Sequence, residues 1–480
     1  MKSKFEMHGK RAAALLAAAG LSACSLIPTY ERPAAPIPDA YPVETAAEQQ
    51  PLSGWREFFP DQRLQALIAA ALDNNRDLRI AALRIEEARA AYRIQSADLL
   101  PSVGAAASAS RARTAADQSP TGSAVVGSNY QVGLSLAAFE LDFFGRVRSL
   151  NQAALAQYLA TEEARRAAHI ALVASVANAY LAERGFAEQL ELARQTLESR
   201  ERSLDLARQR FEVGASSALD LRQIETLYHS ARVAVASLAR QRAQAENALT
   251  LLVGRPLTDL PAPQPLSQMS IVTDIPAGLP SDLLVRRPDI RAAEQSLIAS
   301  NANIGAARAA FFPRISLTAG VGTASGELSG LFDSGSGTWS FVPQLVLPIF
   351  DGGRNRANLD VAQVRKNVAV AEYERTIQTA FREVADALVA RASLDEQVEA
   401  QRAVLEAQTE RLKLAEQRFS AGVASSLDVL DARREQFQAE QSLVQARLAR
   451  MTNSVDLYRA LGGGLEETSA ASSNPSTQAP

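Results

Sequence analysis

Residues 210–220 read RFEVGASSALD, and residues 418–428 read RFSAGVASSLD. Both copies fit the pattern R-F-x-x-G-x-x-S-x-L-D, and each lies between two long stretches of helix-forming sequence. A motif that occurs twice, each time between two long helical stretches, predicts two helical hairpins whose tips are nearly the same. The duplication therefore indicates one architecture built twice rather than several unrelated domains.

The residue types in this repeated motif favour a tight turn between helices. Gly214 and Gly422 each follow a long helical stretch, where a left-handed residue ends a helix at little steric cost. The serine three residues later is predicted to cap the next helix, with an aspartate at the third helical position to complete a capping box. These predicted caps are Ser217 with Asp220, and Ser425 with Asp428.

The composition argues against several classes of protein. The 50 basic and 53 acidic residues give a net charge of −3, whereas nucleic-acid-binding proteins usually carry a basic excess. Of the three histidines, His8 lies in a segment that we expect to be removed, and His169 and His229 are interpreted as structural. The sequence contains no Gly-rich phosphate loop, H-E-x-x-H motif or Cys/His cluster. We therefore expect no enzyme activity, cofactor, metal site or nucleic-acid partner.

The N-terminus has the pattern of a secretory signal. Four basic residues precede an apolar run over residues 12–21, and the run is too short to span a membrane. The ending LSAC resembles a bacterial lipobox, which implies cleavage before Cys24 and lipidation of its sulfur. Ser25, the residue after this cysteine, is similar to the residue found at that position in lipoproteins sent to the outer membrane. An ordinary secretory signal with an incidental cysteine is the alternative.

The remainder of the chain divides into two similar halves. Each half is predicted to contain a helix, two strands and a long helical hairpin, and six prolines between Pro256 and Pro280 mark the linker. The expected domains are a signal peptide (1–23), a lipidated N-terminal extended arm (24–60), a first repeat (61–255), a linker (256–285), a second repeat (286–464) and a disordered tail (465–480).

Each half contains a segment in which apolar residues alternate with small or polar ones. The clearest runs are Tyr130 to Ala138 and Trp339 to Ile349, with 315–321 and a weaker strand at 103–110. Residues 111–128 and 326–337 are predicted to be loops. An apolar face opposite a small or polar face is typical of a membrane barrel wall, and the segment lengths suit tilted membrane strands. Strands of a soluble sandwich are the alternative.

The longest predicted helix covers residues 146–213, where the sequence has no proline and one glycine, Gly185. At a rise of ~1.5 Å per residue this helix would be about 100 Å long. A second helix over 217–252 would run back beside it. The second half repeats this hairpin over 354–420 and 425–461.

Four strands cannot close a membrane barrel, because edge N–H and C=O groups would remain unpaired in lipid. Two chains would give eight strands, whose side chains fill the interior. Three chains would give twelve strands and an open lumen. The strand pattern therefore predicts a homotrimer, with long helices carrying the lumen across the periplasm.

Four further motifs give a family resemblance. They are ELDFFGR at 140–146, LPSDLLVRRPDI at 279–290, FDGGR at 350–354 and YRALGGG at 458–464. With these motifs in this order, the chain resembles the TolC-like outer membrane efflux proteins, in the lipoprotein branch that works with resistance-nodulation-division pumps. One departure is Phe139, where many relatives carry tryptophan.

The resemblance implies a mainly α-helical fold with a membrane β-barrel. Three chains would form a twelve-strand barrel continued by a periplasmic α-barrel of antiparallel hairpins. The trimer would be a passive duct in the outer membrane for multidrug efflux, lipid-anchored and gated at its periplasmic tip. Its partners would be a periplasmic membrane-fusion adaptor, an inner-membrane resistance-nodulation-division pump and outer membrane lipid. The alternatives are the duct of a type I protein secretion system and a periplasmic coiled-coil structural or adaptor protein.

The resemblance also implies two sets of site residues. The two copies of the repeated motif are similar to the adaptor-docking tips of the family. The docking residues would be Arg210, Phe211, Gly214, Ser217, Leu219, Asp220, Arg418, Phe419, Gly422, Ser425, Leu427 and Asp428.

By the same carry-over, Leu427, Asp431 and Arg434 match the periplasmic gate. Their spacing places them on one helix face, so three copies of Leu427 would form an apolar ring. Asp431 and Arg434 would either latch neighbouring helices or ring the lumen with charge. The alternative is an ordinary surface ion pair worth about a few tenths of a kcal/mol. The first half has Gln223 and Thr226 at the charged positions, so the predicted latch belongs to the second tip only.

Overall fold

The computed structural model of the protein describes residues 25–42, 54–120, 122–271, 278 and 280–463. The predicted signal peptide, Cys24 and the predicted disordered tail lie outside these residues. The described part of the chain is mainly helical, with a single sheet. None of its helices is both long enough and apolar enough to cross a membrane.

Nine α-helices lie within the described residues. They are α1 (Trp55–Phe58), α2 (Gln62–Asn74), α3 (Arg76–Ala97), α4 (Arg146–Glu212), α5 (Ala218–Val253), α6 (Leu283–Arg286), α7 (Pro288–Ala309), α8 (Arg354–Ser420) and α9 (Ser426–Ala460). The two longest, α4 and α8, have 67 residues each. The long helices predicted from the sequence are thus confirmed, each to within one or two residues at its ends.

The chain forms two compact units. One takes its described residues from Met1–Ala34, Arg84–Glu162 and Ala292–Tyr373, and the other from Ala35–Leu83, Glu163–Arg291 and Glu374–Pro480. Each unit draws on both predicted repeats, so the division in space does not follow the division along the sequence. The predicted domain ranges stay a prediction.

The first unit contains a four-stranded antiparallel sheet. Its strands are β1 (Val103–Thr114), β2 (Val125–Glu140), β3 (Arg314–Ser325) and β4 (Gly337–Val346), and they lie side by side in that order. β1 pairs only with β2, and β4 only with β3. The outer backbone edges of β1 and β4 are therefore unpaired within the described residues of one chain.

The register gives the sheet two chemically different faces. One row across the four strands is Ala105, Leu134, Val321 and Trp339, and the next row is Gly104, Ser135, Gly320 and Ser340. Because neighbouring rows point to opposite sides, one face is apolar and the other is small or polar. Trp339 is 80% exposed, so the apolar face has no cover from the described residues.

The ends of the strands differ from the sequence prediction. β1 extends through Thr114 and β2 begins at Val125, so the predicted loop over 111–128 is too long. The composition was misleading because backbone pairing continues to the Thr114–Val125 pair even though most side chains there, apart from Val125 and Val126, are polar or small. At the other end, β4 stops at Val346, which pairs with Arg314, the first residue of β3.

A β-bulge interrupts the predicted alternation in β2. Leu136 pairs with Ala319, and the next pair in the register is Phe139 with Leu317. Between these two pairs β2 advances by three residues and β3 by two, so β2 contains one extra residue. Ala138 takes up the extra residue with φ +43°. Placing Ala138 on the apolar face was therefore wrong, and Phe139 continues that face instead.

In the second unit Arg287 of the R-R-P-D segment is buried. Arg287, 8% exposed, contacts Asp289 at 2.6 Å and Glu383 at 2.8 Å, and it donates to the carbonyl oxygen of Ala460 at 3.0 Å. These contacts join the start of α7 to α8 and to the end of α9. Removing a partner of a buried charge is destabilising, so we interpret the motif as structural.

Candidate functional site

The turns between the long helices have the predicted conformation. Gly214 and Gly422 both have φ +75°. After α4, Ala215 N–H donates to Arg210 O at 2.7 Å. After α8, Val423 N–H donates to Arg418 O at 2.9 Å. Both helices thus end in the same left-handed motif, which satisfies carbonyl groups that have no helical partner.

Both predicted capping boxes are present. Ser217 accepts from Asp220 N–H at 3.1 Å, and Asp220 accepts from Ser217 N–H at 3.3 Å. At the second tip the corresponding distances between Ser425 and Asp428 are 3.3 and 3.0 Å. The bonds from the Ser425 N–H and hydroxyl lower the pKa of Asp428 because they favour the carboxylate.

The tips expose large apolar side chains. Phe211 and Phe419 are 43% and 38% exposed, and Leu219 and Leu427 are 67% and 54% exposed. Each tip thus presents one aromatic and one aliphatic side chain beside its turn. The docking role of these residues stays a prediction.

A groove of about 410 Å³ lies between the two tips. Its lining includes Arg210, Asp220 and Phe419 from the predicted docking residues, together with Glu416 and Arg433. Arg433 pairs with Glu416 at 2.8 Å and donates to Ser203 Oγ of the first hairpin at 3.2 Å.

Sequence reasoning missed the contact between Glu416 and Arg433. The signal that could have found them is a reversal of charge, because the matching positions of the first hairpin hold Arg208 and Glu225.

The predicted gate residues lie together on α9. Asp431 contacts Arg434 at 2.6 Å, and it also contacts Arg411 of the preceding helix α8 at 3.0 Å. All three side chains are between 38% and 56% exposed. Sequence reasoning missed Arg411, whose counterpart in the first hairpin is Ser203. The charged cluster joins the two helices of the second hairpin, and its contribution to gating stays a prediction.

The segment that follows Cys24 lies along α7 in the reverse direction. Four described contacts fix its path: Arg308 with Leu26 O at 3.3 Å, Asn301 with Pro28 O at 2.7 Å, and Tyr30 and Arg32 with Glu294 at 3.1 and 2.7 Å. A Cβ added at Gly305 would come within 2.5 Å of Ile27. The start of this arm therefore lies towards the end of α7 that leads into β3.

The motifs ELDFFGR and FDGGR join the strands to the long helices. Asp142 accepts from Arg148 N–H at 2.8 Å at the start of α4, and Asp351 accepts from Asn355 N–H at 2.8 Å at the start of α8. Acidic groups are favourable at these helix ends because the N–H groups there have no helical partner. A cavity of about 480 Å³ lies beside both motifs.

The sequence profile of the family described as "Outer membrane efflux protein" matches residues 67–255 and 279–463. These two segments make up most of the chain and agree with its duplicated pattern. The chain belongs to the outer membrane efflux protein family.

Named relatives are similar along almost their whole length. Outer membrane protein OprJ of Pseudomonas aeruginosa is 53% identical over 459 residues, which are 95% of this chain and 96% of OprJ. The probable efflux pump outer membrane protein TtgC of Pseudomonas putida is 48% identical over 472 residues, with 96% and 97% covered.

A solved structure shows the same fold. The open state of the Neisseria gonorrhoeae MtrE outer membrane channel has a TM-score of 0.85 and 44% sequence identity, covering 92% of this chain and 99% of that chain.

Proposed function

We propose that this protein is the outer membrane channel of a tripartite multidrug efflux pump. The observation that carries the proposal is the sheet, whose apolar face is uncovered and whose two outer edges are unpaired within the described residues. The sheet connects directly to the long helical hairpins. The family membership and the names of the relatives support the efflux role. The duct is passive and catalyses no reaction.

Three copies complete the sheet. β1 of one copy pairs with β4 of the next, which gives twelve strands and satisfies every edge that lipid would leave unpaired. The apolar row of Leu134, Val321 and Trp339 faces lipid, and the row of Ser135, Gly320 and Ser340 lines the lumen. Two chains would give only eight strands, whose interior is filled by side chains.

The tips bind a periplasmic adaptor that links the channel to an inner-membrane pump. Two similar tips on each chain give six similar docking surfaces in a trimer. The apolar side chains of Phe211, Leu219, Phe419 and Leu427 are available there, and the groove between the tips adds charged groups for specificity.

The second tip holds the gate. Leu427 supplies an apolar constriction, and Asp431 is held by Arg434 and Arg411. The first tip has uncharged side chains at the matching positions, so the restraint belongs to the second hairpin.

Cys24 carries the lipid. Its neighbour Ser25 begins an arm that runs from the β3 end of α7, which is the end nearest the proposed membrane sheet. An acyl chain attached at this position reaches the bilayer without unfolding the arm.

Two experiments test the function. Outer membrane fractions should contain a heat-modifiable oligomer, and deletion of the gene should increase sensitivity within an antibiotic panel and be complemented by the full chain. A monomer in the periplasmic fraction would instead favour a coiled-coil structural protein. Loss of a secreted protein with unchanged antibiotic sensitivity would favour type I secretion.

The anchor has its own test. The variant C24A should lose acyl labelling while the trimer still forms. Acyl labelling that persists in C24A would contradict the assignment of the lipid to Cys24.

A further inference from the structure

We infer that Arg111 and Arg113, at the loop end of β1, form a binding site for the phosphate groups of a phosphorylated glycolipid of the lipid A type in the outer leaflet. The inference rests on the proposed membrane position of the sheet. Both arginines were expected in a loop, and the structure instead places them in a regular strand.

The register places both arginines on the apolar face of the sheet. Arg111 pairs with Ser128 and Arg113 with Val126, whereas Ala109 pairs with Tyr130. Residues two apart on a strand point to the same side. The two guanidinium groups therefore project on the same side as Tyr130 and the row that contains Leu134 and Trp339, which is the side assigned to lipid.

Their height on the sheet matches the headgroup region. On β2 and just beyond it, the apolar side runs from Tyr130 to Leu141, a length of strand that spans about 25 Å of bilayer at a rise of ~3.4 Å per residue and a tilt of ~45°. This value agrees with the apolar band of about 25 Å found in outer membrane barrels. Arg111 lies two rows beyond Tyr130, about 5 Å further along the membrane normal by the same geometry.

The side of the bilayer follows from the connectivity. The long helices leave the sheet at the end where β2 finishes and β4 finishes, and the turns between β1 and β2 and between β3 and β4 lie at the other end. With the helices in the periplasm, the arginines lie at the external leaflet. Glycolipid phosphates are the fixed anions of that leaflet.

The side chains are free to bind such a group. Both arginines are exposed, and within the described residues neither guanidinium has an ion pair or hydrogen bond. A guanidinium binds phosphate oxygens through two parallel N–H donors, and its long stem can lie on apolar surface while the charge reaches the headgroup. A competing partner is an acidic side chain of a neighbouring copy, such as Asp333 in the turn before β4.

The test uses the full-length trimer, purified in detergent and freed of lipid. Native mass spectrometry would measure its dissociation constants for bis-phosphorylated lipid A and for dephosphorylated lipid A with the same acyl chains, with inorganic phosphate as competitor. The variant is R111Q/R113Q. The matched control is R76Q/R79Q, which removes the same charge from exposed arginines of α3.

We expect R111Q/R113Q to raise the dissociation constant for bis-phosphorylated lipid A by about tenfold or more, since even one lost charge-assisted hydrogen bond has this effect. Binding of dephosphorylated lipid A, and both affinities of R76Q/R79Q, should match the original protein. An affinity of R111Q/R113Q within twofold of the original overturns the proposal. Equal binding of the two lipids, or full displacement by dilute inorganic phosphate, overturns it as well.

The competing partner is tested in parallel. If R111Q/R113Q and D333N both dissociate the trimer, the arginines bind a neighbouring copy and the proposal is overturned. If only R111Q/R113Q fails to assemble, R111K/R113K keeps the charge and should retain phosphate-dependent binding. Absence of any oligomer from outer membrane fractions of the original protein contradicts the proposed function itself, which is a separate outcome.

Discussion

The first and second hairpin tips have the same turn but different side chains two helical turns away. Gly214 and Gly422 share φ +75°, and both tips have complete capping boxes. At the second tip, Asp431 forms ion pairs with Arg411 and Arg434, whereas the matching residue of the first hairpin is the uncharged Gln223. One turn motif therefore supports two different helix surfaces.

The difference separates what a turn needs from what a function needs. A helix end is formed by local groups, so the same few residues suffice in both halves. A charged cluster such as that of Arg411 and Asp431 requires partners from two helices and leaves the turn unchanged. Duplication can thus keep the turn while the adjoining surfaces diverge.

The largest expected losses of stability come from the glycines. G214A and G422A should each destabilise their tip by about 1–2 kcal/mol, because alanine is strained in the left-handed region. The two losses should be equal, since an added Cβ at either position meets no atom of the described residues within 4 Å. Hydrogen exchange of the first turns of α5 and α9 measures this change.

G254A provides the control for this prediction. Gly254 also has φ +75°, but there an added Cβ would come within 2.5 Å of Asn74 O. Its loss should therefore exceed those of G214A and G422A. A loss at one tip that is several times the loss at the other would break the equivalence of the two turns.

The N-cap serines should contribute equally but less. S217A and S425A should each cost about 1 kcal/mol, because each removes the acceptor of one backbone N–H. Faster hydrogen exchange confined to the first turn of α5 or α9 would confirm the loss. S420A, which changes an exposed serine before the second turn, should have little effect and serves as the control.

The second tip should loosen in acid. The pKa of Asp428 is lowered in the folded protein by the bonds from Ser425. A lowered pKa stabilises the fold above the ordinary aspartate value of about 3.9, and this contribution is lost as the pH falls through the lower folded value. The protection of the amide hydrogens in the first turn of α9, measured against the exchange rate of an unstructured chain at the same pH, should therefore fall as the pH falls below about 4. D428N should remove this dependence, and its persistence in D428N would contradict the assignment to Asp428.

The smallest expected change in stability concerns the ion pair between Glu416 and Arg433 in the groove between the tips. The swap E416R/R433E gives the second hairpin the charge order of Arg208 and Glu225 in the first. Exposed pairs are worth about 0.2–1 kcal/mol, so the swap should change stability by less than about 0.5 kcal/mol, whereas E416R alone should lower it more. Thermal unfolding of the trimer measures both, and a swap as damaging as the single change would show that Arg433 depends on its bond to Ser203.

The sequence was sufficient for the helices and their turns because those signals are local. The end of α4 was predicted one residue beyond its observed end at Glu212, and the capping boxes were read directly from serine and aspartate at fixed spacing. The apolar alternation likewise predicted the sheet. The motif FDGGR was recognised only as a resemblance, and its capping role became visible in the structure.

The remaining features depend on pairing between distant segments. The polar end of β1 was missed because its partners on β2 fix the strand, and the bulge at Ala138 follows from the register against β3. Arg411 was missed because its contact with Asp431 depends on how α8 and α9 align. Single-sequence patterns do not contain such alignments.

In the proposed channel, only the second tip restrains opening. The most direct test of this restraint is single-channel conductance in planar bilayers for the original protein, D431A/R434A and the matched first-hairpin variant Q223A/T226A. We expect a several-fold higher conductance for D431A/R434A and an unchanged conductance for Q223A/T226A. Unchanged conductance in D431A/R434A, or an equal increase in both variants, would contradict it.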